Sequence, residues 1–310
     1  FSKAFDSIPR DLLFQKLLSK GINGKVFNLM KNIYSHEKCQ MKIGEYLSKP
    51  ISVNQGVRQG CILSPLLFNI FISDLPSYLN KPDHKPPCIN DSQTLGCLLW
   101  ADDLIMFSQE EKGLGNMISE LAQYSVSNGL KINTEKSKAM IFNKTGRLMR
   151  KTFKCQNLSI KTIREYKYLG FVVTPSGEVT TGVKDLCSRA SYALVQLRRK
   201  LGENFKKYPE ITFHLFDSLI KPILMYLSDF WGCLKMPKNN PIDLIHMRFL
   251  KQLLGVNKQT SNTGVLLETG RIPLSLFAKK NCIKNGRELL SIEAAIFLLE
   301  FHTTTYQNIT

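Results

Sequence analysis

The spacing of apolar residues predicts a helix close to the start of the chain. This helix would begin near Pro9, with Asp6 or Ser7 as its cap, and would end at Gly21. Its apolar face would consist of Leu12, Leu13, Leu17 and Leu18.

The following residues predict a second helix and then two short strands. Asn23 can cap a helix whose apolar residues recur at helical spacing. These residues are Val26, Leu29 and Ile33. Residues 40–57 predict two short strands, interrupted at Gly44 and Pro50.

An apolar run after residue 64 predicts another helix. Ser64 would cap it and Pro65 would take its first position, ahead of the run LLFNIFISDL. Residues 80–94 hold three prolines and several turn-forming residues, so we expect a loop there.

The segment LGCLLWADDLIMFS places two apolar runs on either side of an acidic pair. This pattern predicts a strand, a tight turn at Ala101-Asp102-Asp103 and a returning strand. A helix is predicted over residues 113–126, and a strand over Ala139–Phe142. A further hairpin, near Tyr166–Thr174 and Glu178–Thr180, would turn at Pro175-Ser176-Gly177.

The second half of the chain has a helical pattern. Apolar residues keep helical spacing after residue 181, and further helices are expected at 210–230 and 241–254. The first helix of this part has the apolar face Val183, Leu186, Ala190, Leu194, Leu197 and Leu201. The sequence therefore predicts an α+β part followed by a helical part, with a boundary near residue 180.

Charge points to a phosphate-rich partner. The chain carries 42 Lys and Arg against 25 Asp and Glu, a net charge of +17. Residues 131–168 hold eleven basic and two acidic residues. The alternative is a solvated basic face that keeps the protein in solution.

Cysteine spacing and hydropathy exclude several classes of protein. The eight cysteines form no C-x-x-C pair, so a zinc site or a disulfide framework is not indicated. We expect a reducing, intracellular compartment, either the nucleus or the cytoplasm. No apolar run approaches the ~18 residues of a membrane-spanning helix, and we expect no membrane partner.

Asp102 and Asp103 are the strongest candidate site. Two adjacent carboxylates in an apolar hairpin repel each other and are costly to bury, and a divalent cation removes both costs. Magnesium, which prefers oxygen ligands, is the expected ion. The alternative is an ordinary solvated turn.

Five segments in order resemble the palm of reverse transcriptases, and most closely that of non-LTR (LINE-type) retrotransposons. These are FSKAFDSIP, GVRQGCILSPLLFNIFI, the acidic hairpin with WADD, GLKINTEKSKAMIF and EYKYLGFVV. Residues 181–255, including LIKPILMYLSDFWG, resemble the thumb of the same enzymes.

The resemblance implies a right-hand polymerase fold. We expect a partial palm over residues 1–180, with helices packed on an antiparallel sheet, and most of the fingers missing. A helical thumb-like region over 181–256 would follow, and then a helical extension over 257–310 with a frayed tail.

The resemblance also assigns roles around the acidic pair. Asp102 would be the principal ligand and Asp103 the supporting ligand of Mg²⁺, with Mn²⁺ as a possible substitute, in two-metal nucleotidyl transfer. Trp100 departs from the Tyr or Phe usual at its position. Lys136, or alternatively Lys138, matches a lysine that would act near the pyrophosphate; the alternative is a surface lysine.

Three residues match the nucleotide site of this family. Gln59 would lie near the sugar of the incoming nucleotide, Gly60 would allow close backbone approach, and Phe5 would disfavour a 2′-hydroxyl. The alternatives are that Gly56 and Gly60 only shape a turn and that Phe5 is a core residue.

The remaining matched segments would hold nucleic acid. Tyr168-Leu169-Gly170 matches the hairpin that grips the primer; the alternative is a plain hairpin. Arg198, Arg199 and Lys200, with Lys206-Lys207, would contact the backbone of a bound strand. The implied partners are an RNA template, a DNA primer, their RNA/DNA hybrid and deoxynucleoside triphosphates, and no obligate protein partner is indicated.

The opening motif of the family reads Asp-x-x-x-Ala-Phe, and the sequence begins at Phe1, one position after that Asp. We therefore expect an N-terminally truncated fragment with little or no polymerase activity of its own. The second hypothesis is a non-catalytic remnant that binds RNA or RNA/DNA hybrid. A basic helical scaffold unrelated to polymerases is the third.

Overall fold

A computed structural model describes residues 1–90, 93–155, 158–234 and 240–288. The chain forms two compact units. The first unit comprises residues 1–139 and 150–161, and the second comprises 140–149 and the chain from 162 onward. The domain boundaries expected at residues 180 and 256 differ from the limits of these compact units. The palm and thumb boundaries therefore stay predictions.

Six helices belong to the first unit. They are α1 (Ala4–Ser7), α2 (Arg10–Ser19), α3 (Gly24–Ser35), α4 (Leu63–Phe71), α5 (Leu75–Leu79) and α6 (Glu111–Ser127). Their apolar faces meet in one core, where Leu17, Phe68 and Phe71 are fully buried. The predicted helices at residues 9–21 and 113–126 are thereby found with shifted ends, and the helix predicted over 65–75 is divided into α4 and α5.

The strands of the first unit pair two by two, and every pair is antiparallel. The pairs are β1 (Lys38–Cys39) with β4 (Ile51–Ser52), β2 (Lys42–Ile43) with β3 (Tyr46–Leu47), β5 (Cys88–Asn90) with β6 (Gln93–Thr94), β7 (Cys97–Trp100) with β8 (Asp103–Met106), and β9 (Thr152–Cys155) with β10 (Leu158–Lys161). Helices with small antiparallel sheets make an α+β fold. Among the described residues the strands form separate pairs, whereas a packed palm predicts one larger sheet.

Helix caps and one helix face differ from the prediction. Neither Asp6 nor Ser7 caps α2, because both lie in the separate turn α1. Helix α4 already begins at Leu63, so Ser64 is inside it and its hydroxyl donates to the Arg58 carbonyl. The predicted apolar face of α3 is exposed instead. Its exposed residues are Val26, Leu29 and Ile33, while Met30 and Tyr34 are buried.

Two strand predictions are wrong. Residues 139–142 form no strand; Ala139 makes an isolated β-bridge, and its N–H donates to the Lys161 carbonyl. The later hairpin turns at Leu169-Gly170, between β11 (Tyr166–Tyr168) and β12 (Phe171–Val173), and not at residues 175–177. The predicted loop 80–94 contains a 3₁₀ turn at Pro82–His84 and the strands β5 and β6.

The second unit is mainly helical. Its helices are α7 (Thr180–Leu201), α8 (Asn204–Lys207), α9 (Pro209–Leu215), α10 (Lys221–Leu224), α11 (Ser228–Trp231), α12 (Pro241–Leu254), α13 (Asn262–Thr269) and α14 (Leu274–Glu288). A π-helical turn at Phe216–Ile220 interrupts the helix predicted over 210–230. The predicted frayed tail lies outside the described residues.

Helix α7 confirms the helical spacing read from the sequence. Its buried apolar face includes Val183, Leu186, Ala190, Leu194 and Leu197. This face is part of the core of the second unit, together with Phe171 of β12 and Trp231 of α11. No described helix is both long enough and apolar enough to cross a membrane.

A histidine is buried in this helical core. His246 is 1% exposed and stacks on Phe216, with 5.7 Å between the ring centres. Neither ring nitrogen has a hydrogen-bond partner among the described residues. Burial, together with the nearby charge of Arg271, lowers the pKa of His246 from 6.5 to about 4. The ring is therefore neutral at physiological pH.

Candidate active site

The acidic pair lies at a tight hairpin turn, as the sequence predicts. Trp100 and Asp103 face each other across β7 and β8, and Ala101 and Asp102 form the two-residue turn between them. Ala101 has a φ of 51°, in the left-handed region that costs a residue with a side chain roughly 1–2 kcal/mol. The hairpin thus holds a strained turn where the carboxylates are.

The surroundings of the carboxylates leave them open to a ligand. Asp102 is half-buried and Asp103 is exposed. No described basic side chain forms an ion pair with either of them. The amino nitrogen of Phe1 donates to the Asp102 carbonyl at 2.9 Å, so the first residue lies directly beside the turn.

The carboxylates fit a hard divalent cation by their chemistry. Two neighbouring carboxylates offer the oxygen donors that Mg²⁺ prefers, and no described cation competes for them. No group of three or more acidic, histidine or cysteine side chains suited to a metal occurs within the described residues. Among the described residues the turn therefore supplies two carboxylates, fewer than a complete metal cage would need.

A pocket of about 480 Å³ opens beside the hairpin. Its lining residues are Phe5, Pro65, Asn69, Ile72, Ser73, Leu99, Trp100 and Ala101. Phe5 forms one wall and stacks on Phe68 of α4, with ring centres 4.8 Å apart and planes inclined by 19°. The stacking fixes the half-buried Phe5 ring against a rigid helix.

A second pocket, of about 350 Å³, shares Phe5 and Pro65 with the first. Its other lining residues are Arg58, Gln59, Gly60, Cys61, Ile62 and Ser64. The structure thus brings the predicted nucleotide residues Phe5, Gln59 and Gly60 together around one pocket. Phe5 thus lines both this pocket and the one beside the acidic hairpin.

Backbone contacts attach the loop of Gln59 and Gly60 to α1. The Val57 N–H donates to the Phe5 carbonyl at 2.8 Å, and the Gln59 side chain donates to the Asp6 carboxylate at 2.9 Å. Gly56 has a φ of 80°, and a Cβ there would lie 2.7 Å from the Asp6 carbonyl oxygen. Only glycine permits this approach.

Gly60 is different, because it has a φ of 81° and nothing within 4 Å of the place where a Cβ would lie. The open space beside Gly60 is what a ligand needs for close approach to the backbone.

A buried arginine that sequence reasoning missed holds the same loop. Arg10 is 8% exposed, and its guanidinium donates to the carbonyls of Tyr34, Val53 and Gly56. It also pairs with Glu37, which in turn accepts from the Arg58 Nε at 2.8 Å. Nothing in the local sequence distinguishes Arg10 from the charged Asp11 beside it in the first turn of α2.

The predicted catalytic lysine is exposed and lies in a basic stretch that both units share. Lys136 and Lys138 are exposed, and the Lys136 N–H donates to the Asn133 side chain at 3.0 Å. The basic stretch 131–168 is divided between the two units. The catalytic role of Lys136 stays a prediction.

The predicted primer-gripping residues form the tight turn between β11 and β12, in the second unit. Leu169 and Gly170 have φ angles of 45° and 83°. The Arg189 side chain of α7 donates to the Gly170 carbonyl at 2.9 Å, and the Tyr226 hydroxyl donates to the Leu169 carbonyl. The turn is therefore braced from two sides.

The predicted backbone-binding residues Arg198, Arg199 and Lys200 are exposed in the last turn of α7. Cations at a helix C-terminus also interact favourably with the helix dipole, by about 0.3–1 kcal/mol each. Their exposure leaves them accessible to a nucleic-acid strand. The helix dipole stabilises their positive charges at this end of α7.

Known proteins resemble this chain in sequence. Residues 1–173 match the family described as reverse transcriptase (RNA-dependent DNA polymerase). A retrovirus-related Pol polyprotein from the type-1 retrotransposable element R2 of Popillia japonica is 24% identical over 307 residues, covering 92% of this chain and 48% of that protein.

The RNA-directed DNA polymerase from mobile element jockey of Drosophila melanogaster is 24% identical over 250 residues, covering 74% of this chain and 25% of that protein. The chain thus spans about half or less of the length of these relatives. The family match covers more than half of the chain and includes the acidic hairpin and both pockets. The chain therefore belongs to the reverse transcriptase (RNA-dependent DNA polymerase) family, and its relatives are polymerases of non-LTR retrotransposons.

Proposed function

We propose that the first unit carries the nucleotidyl-transfer centre of an RNA-directed DNA polymerase. The observation that carries this proposal is the pair Asp102-Asp103 at a hairpin turn whose strand lines the Phe5 pocket. Reverse transcriptases act on an RNA template and a primer, and these are the proposed substrates together with deoxynucleoside triphosphates.

Asp102 is the proposed principal ligand of Mg²⁺ and Asp103 the supporting one, with Mn²⁺ as a substitute. When bound, the metal ions would lower the pKa of the primer 3′-hydroxyl and neutralise the leaving pyrophosphate. The carboxylates suit this task because no described cation already neutralises them, and because the hairpin fixes their backbone.

The nucleotide is proposed to enter the pocket between Phe5 and the Gln59-Gly60 loop. The Phe5 ring, held by Phe68, would lie under the sugar and leave no room for a 2′-hydroxyl. Gly60 would let the backbone approach the nucleotide, since its surroundings are open. Lys136 is proposed to stabilise the negative charge that develops on the pyrophosphate.

In the second unit, the braced turn Tyr168-Leu169-Gly170 is proposed to grip the primer. Arg198, Arg199 and Lys200 are proposed to follow the backbone of the RNA/DNA hybrid. Such contacts tolerate any sequence, which a polymerase that moves along its template requires.

A polypeptide of residues 1–310 alone is proposed to have little polymerase activity. The described part of the turn supplies two carboxylates, and the Asp of the family's opening motif would stand directly before Phe1. The amino nitrogen of Phe1 lies beside this turn, so an Asp joined there would be placed next to Asp102. The second candidate function, binding of RNA or hybrid without catalysis, is favoured by the net charge of +17.

Primer extension on poly(rA)/oligo(dT) with Mg²⁺ tests the proposal. We expect little or no templated synthesis by residues 1–310, and a measurable increase after an Asp is added directly before Phe1. The change Asp102→Asn should abolish the gained activity. Templated synthesis by residues 1–310 that survives Asp102→Asn would contradict the proposed centre.

A further inference from the structure

An ion network of three residues includes Arg58, which lines the second pocket. Glu37, 12% exposed, accepts from the guanidinium groups of both Arg10 and Arg58. One carboxylate therefore faces two arginines, and the network keeps a net charge of +1. Arg10 is buried, whereas the Arg58 side chain is 44% exposed.

The two arginines use their donors differently. The five N–H groups of Arg10 reach the carbonyls of Tyr34, Val53, Gln55 and Gly56 and the Glu37 carboxylate. Arg58 donates from Nε to Glu37 and from Nη2 to the Ile33 carbonyl at 3.4 Å. Its Nη1 group makes no hydrogen bond within the described residues, so Arg58 retains donors for a ligand.

Arg58 is the one charged residue among those that line the second pocket. The other lining residues are Phe5, Gln59, Gly60, Cys61, Ile62, Ser64 and Pro65. An arginine with spare donors and an unneutralised charge suits a phosphate oxygen, since guanidinium and phosphate match in a bidentate geometry.

We infer that Arg58 binds a phosphate group at the mouth of the Gln59-Gly60 pocket, and that Glu37, itself neutralised by Arg10, positions Arg58 for this contact. The inference rests on the proposed polymerase function and adds to it a binding residue and its positioning partners. The phosphate belongs either to a nucleoside triphosphate or to the backbone of the RNA template.

Equilibrium binding of two probes tests the inference. Titration calorimetry measures dTTP, and fluorescence anisotropy measures labelled oligo(rA), each over a range of salt concentrations. The variants are Arg58→Gln and Arg58→Lys, and Lys20→Gln is the control because Lys20 is exposed at the end of α2. In Arg58→Gln, Glu37 keeps its pairing with Arg10, so the fold is expected to persist.

Arg58→Gln should weaken binding of one probe about tenfold, and for oligo(rA) it should reduce the salt slope by about one. Arg58→Lys should keep that slope but recover only part of the affinity. Loss with dTTP assigns a nucleotide phosphate, and loss with oligo(rA) assigns the template. Lys20→Gln should change neither.

Failure of the Arg58 inference and failure of the polymerase proposal give different results in these experiments. Wild-type affinity and slope in Arg58→Gln for both probes would overturn the inference while the polymerase proposal stands. Absence of binding by the unaltered chain would overturn both. A selective loss in Arg58→Gln, without Mg²⁺-dependent synthesis in the Asp-extended chain, supports the phosphate contact and counts against the polymerase proposal.

Discussion

Three glycine-to-alanine changes distinguish a glycine that shapes the loop from one that is proposed to admit a nucleotide. Gly56, Gly60 and Gly21 have φ angles of 80°, 81° and 81°. Alanine at each should therefore cost about 1 kcal/mol of backbone strain. Gly56 differs from the other two in what the added methyl group meets, and Gly60 differs from Gly21 in lining the proposed nucleotide pocket.

At Gly56 the methyl group would meet the backbone of Phe5 and Asp6, with three atoms at 2.7 to 2.8 Å. Backbone cannot move aside cheaply, and overpacking of this kind costs a further ~1–3 kcal/mol. Gly56→Ala should therefore destabilise the first unit by about 2–4 kcal/mol in total. At Gly60 and Gly21 the methyl group meets nothing within 4 Å.

Thermal unfolding and dTTP titration together give the assay. Gly60→Ala and Gly21→Ala should lower Tm equally, by about 2–4 °C, and Gly56→Ala by about two to four times as much. Gly60→Ala and Gly21→Ala form a matched pair, because both glycines have the same φ and open surroundings. Of the two, only Gly60→Ala should weaken dTTP binding, by about tenfold, because its methyl group occupies the proposed nucleotide space. Equal dTTP affinity in Gly60→Ala and Gly21→Ala would refute the role of Gly60.

Three further predictions concern stability and nucleic-acid binding. Because the pKa of His246 is lowered to about 4, the free energy of unfolding should fall by about 3 kcal/mol as the pH drops from 6.5 to about 4, where only the unfolded state binds the proton. Urea unfolding of the second unit as a function of pH checks this. His246→Leu should remove this pH dependence. Ala101→Gly should raise the unfolding free energy of the first unit by about 1 kcal/mol, as relief of the left-handed turn; an unchanged or lower value counts against strain there. Arg198→Gln should reduce the salt slope of hybrid binding by about one in an anisotropy assay; an unchanged slope removes this residue from the interface.

Sequence patterns predicted the elements that depend on local spacing. The apolar face of α7 and the acidic hairpin were both predicted, because each is determined by residues close in sequence. Pro175-Ser176-Gly177 has the stronger local turn signal, yet the hairpin closes at Leu169-Gly170. There, Arg189 and Tyr226 bind the turn carbonyls, and these contacts come from distant residues.

Tertiary packing determines the features that the sequence pattern does not predict. The sequence pattern identified Val26, Leu29 and Ile33 as the apolar face of α3, but the residues of α3 that the core buries are Met30 and Tyr34. The Arg10 network joins residues that are 24 to 46 positions apart, and no local periodicity records such contacts.

The central claim is that Asp102 and Asp103 bind a divalent cation, and Mn²⁺ binding followed by electron paramagnetic resonance tests it most directly. Asp83→Asn is the matched control, since Asp83 is an exposed carboxylate in the 3₁₀ turn at residues 82–84. We predict weak binding by the unaltered chain, a loss of at least about tenfold in Asp102→Asn, and no change in Asp83→Asn. Equal Mn²⁺ affinity in the unaltered chain, Asp102→Asn and Asp103→Asn would contradict the account.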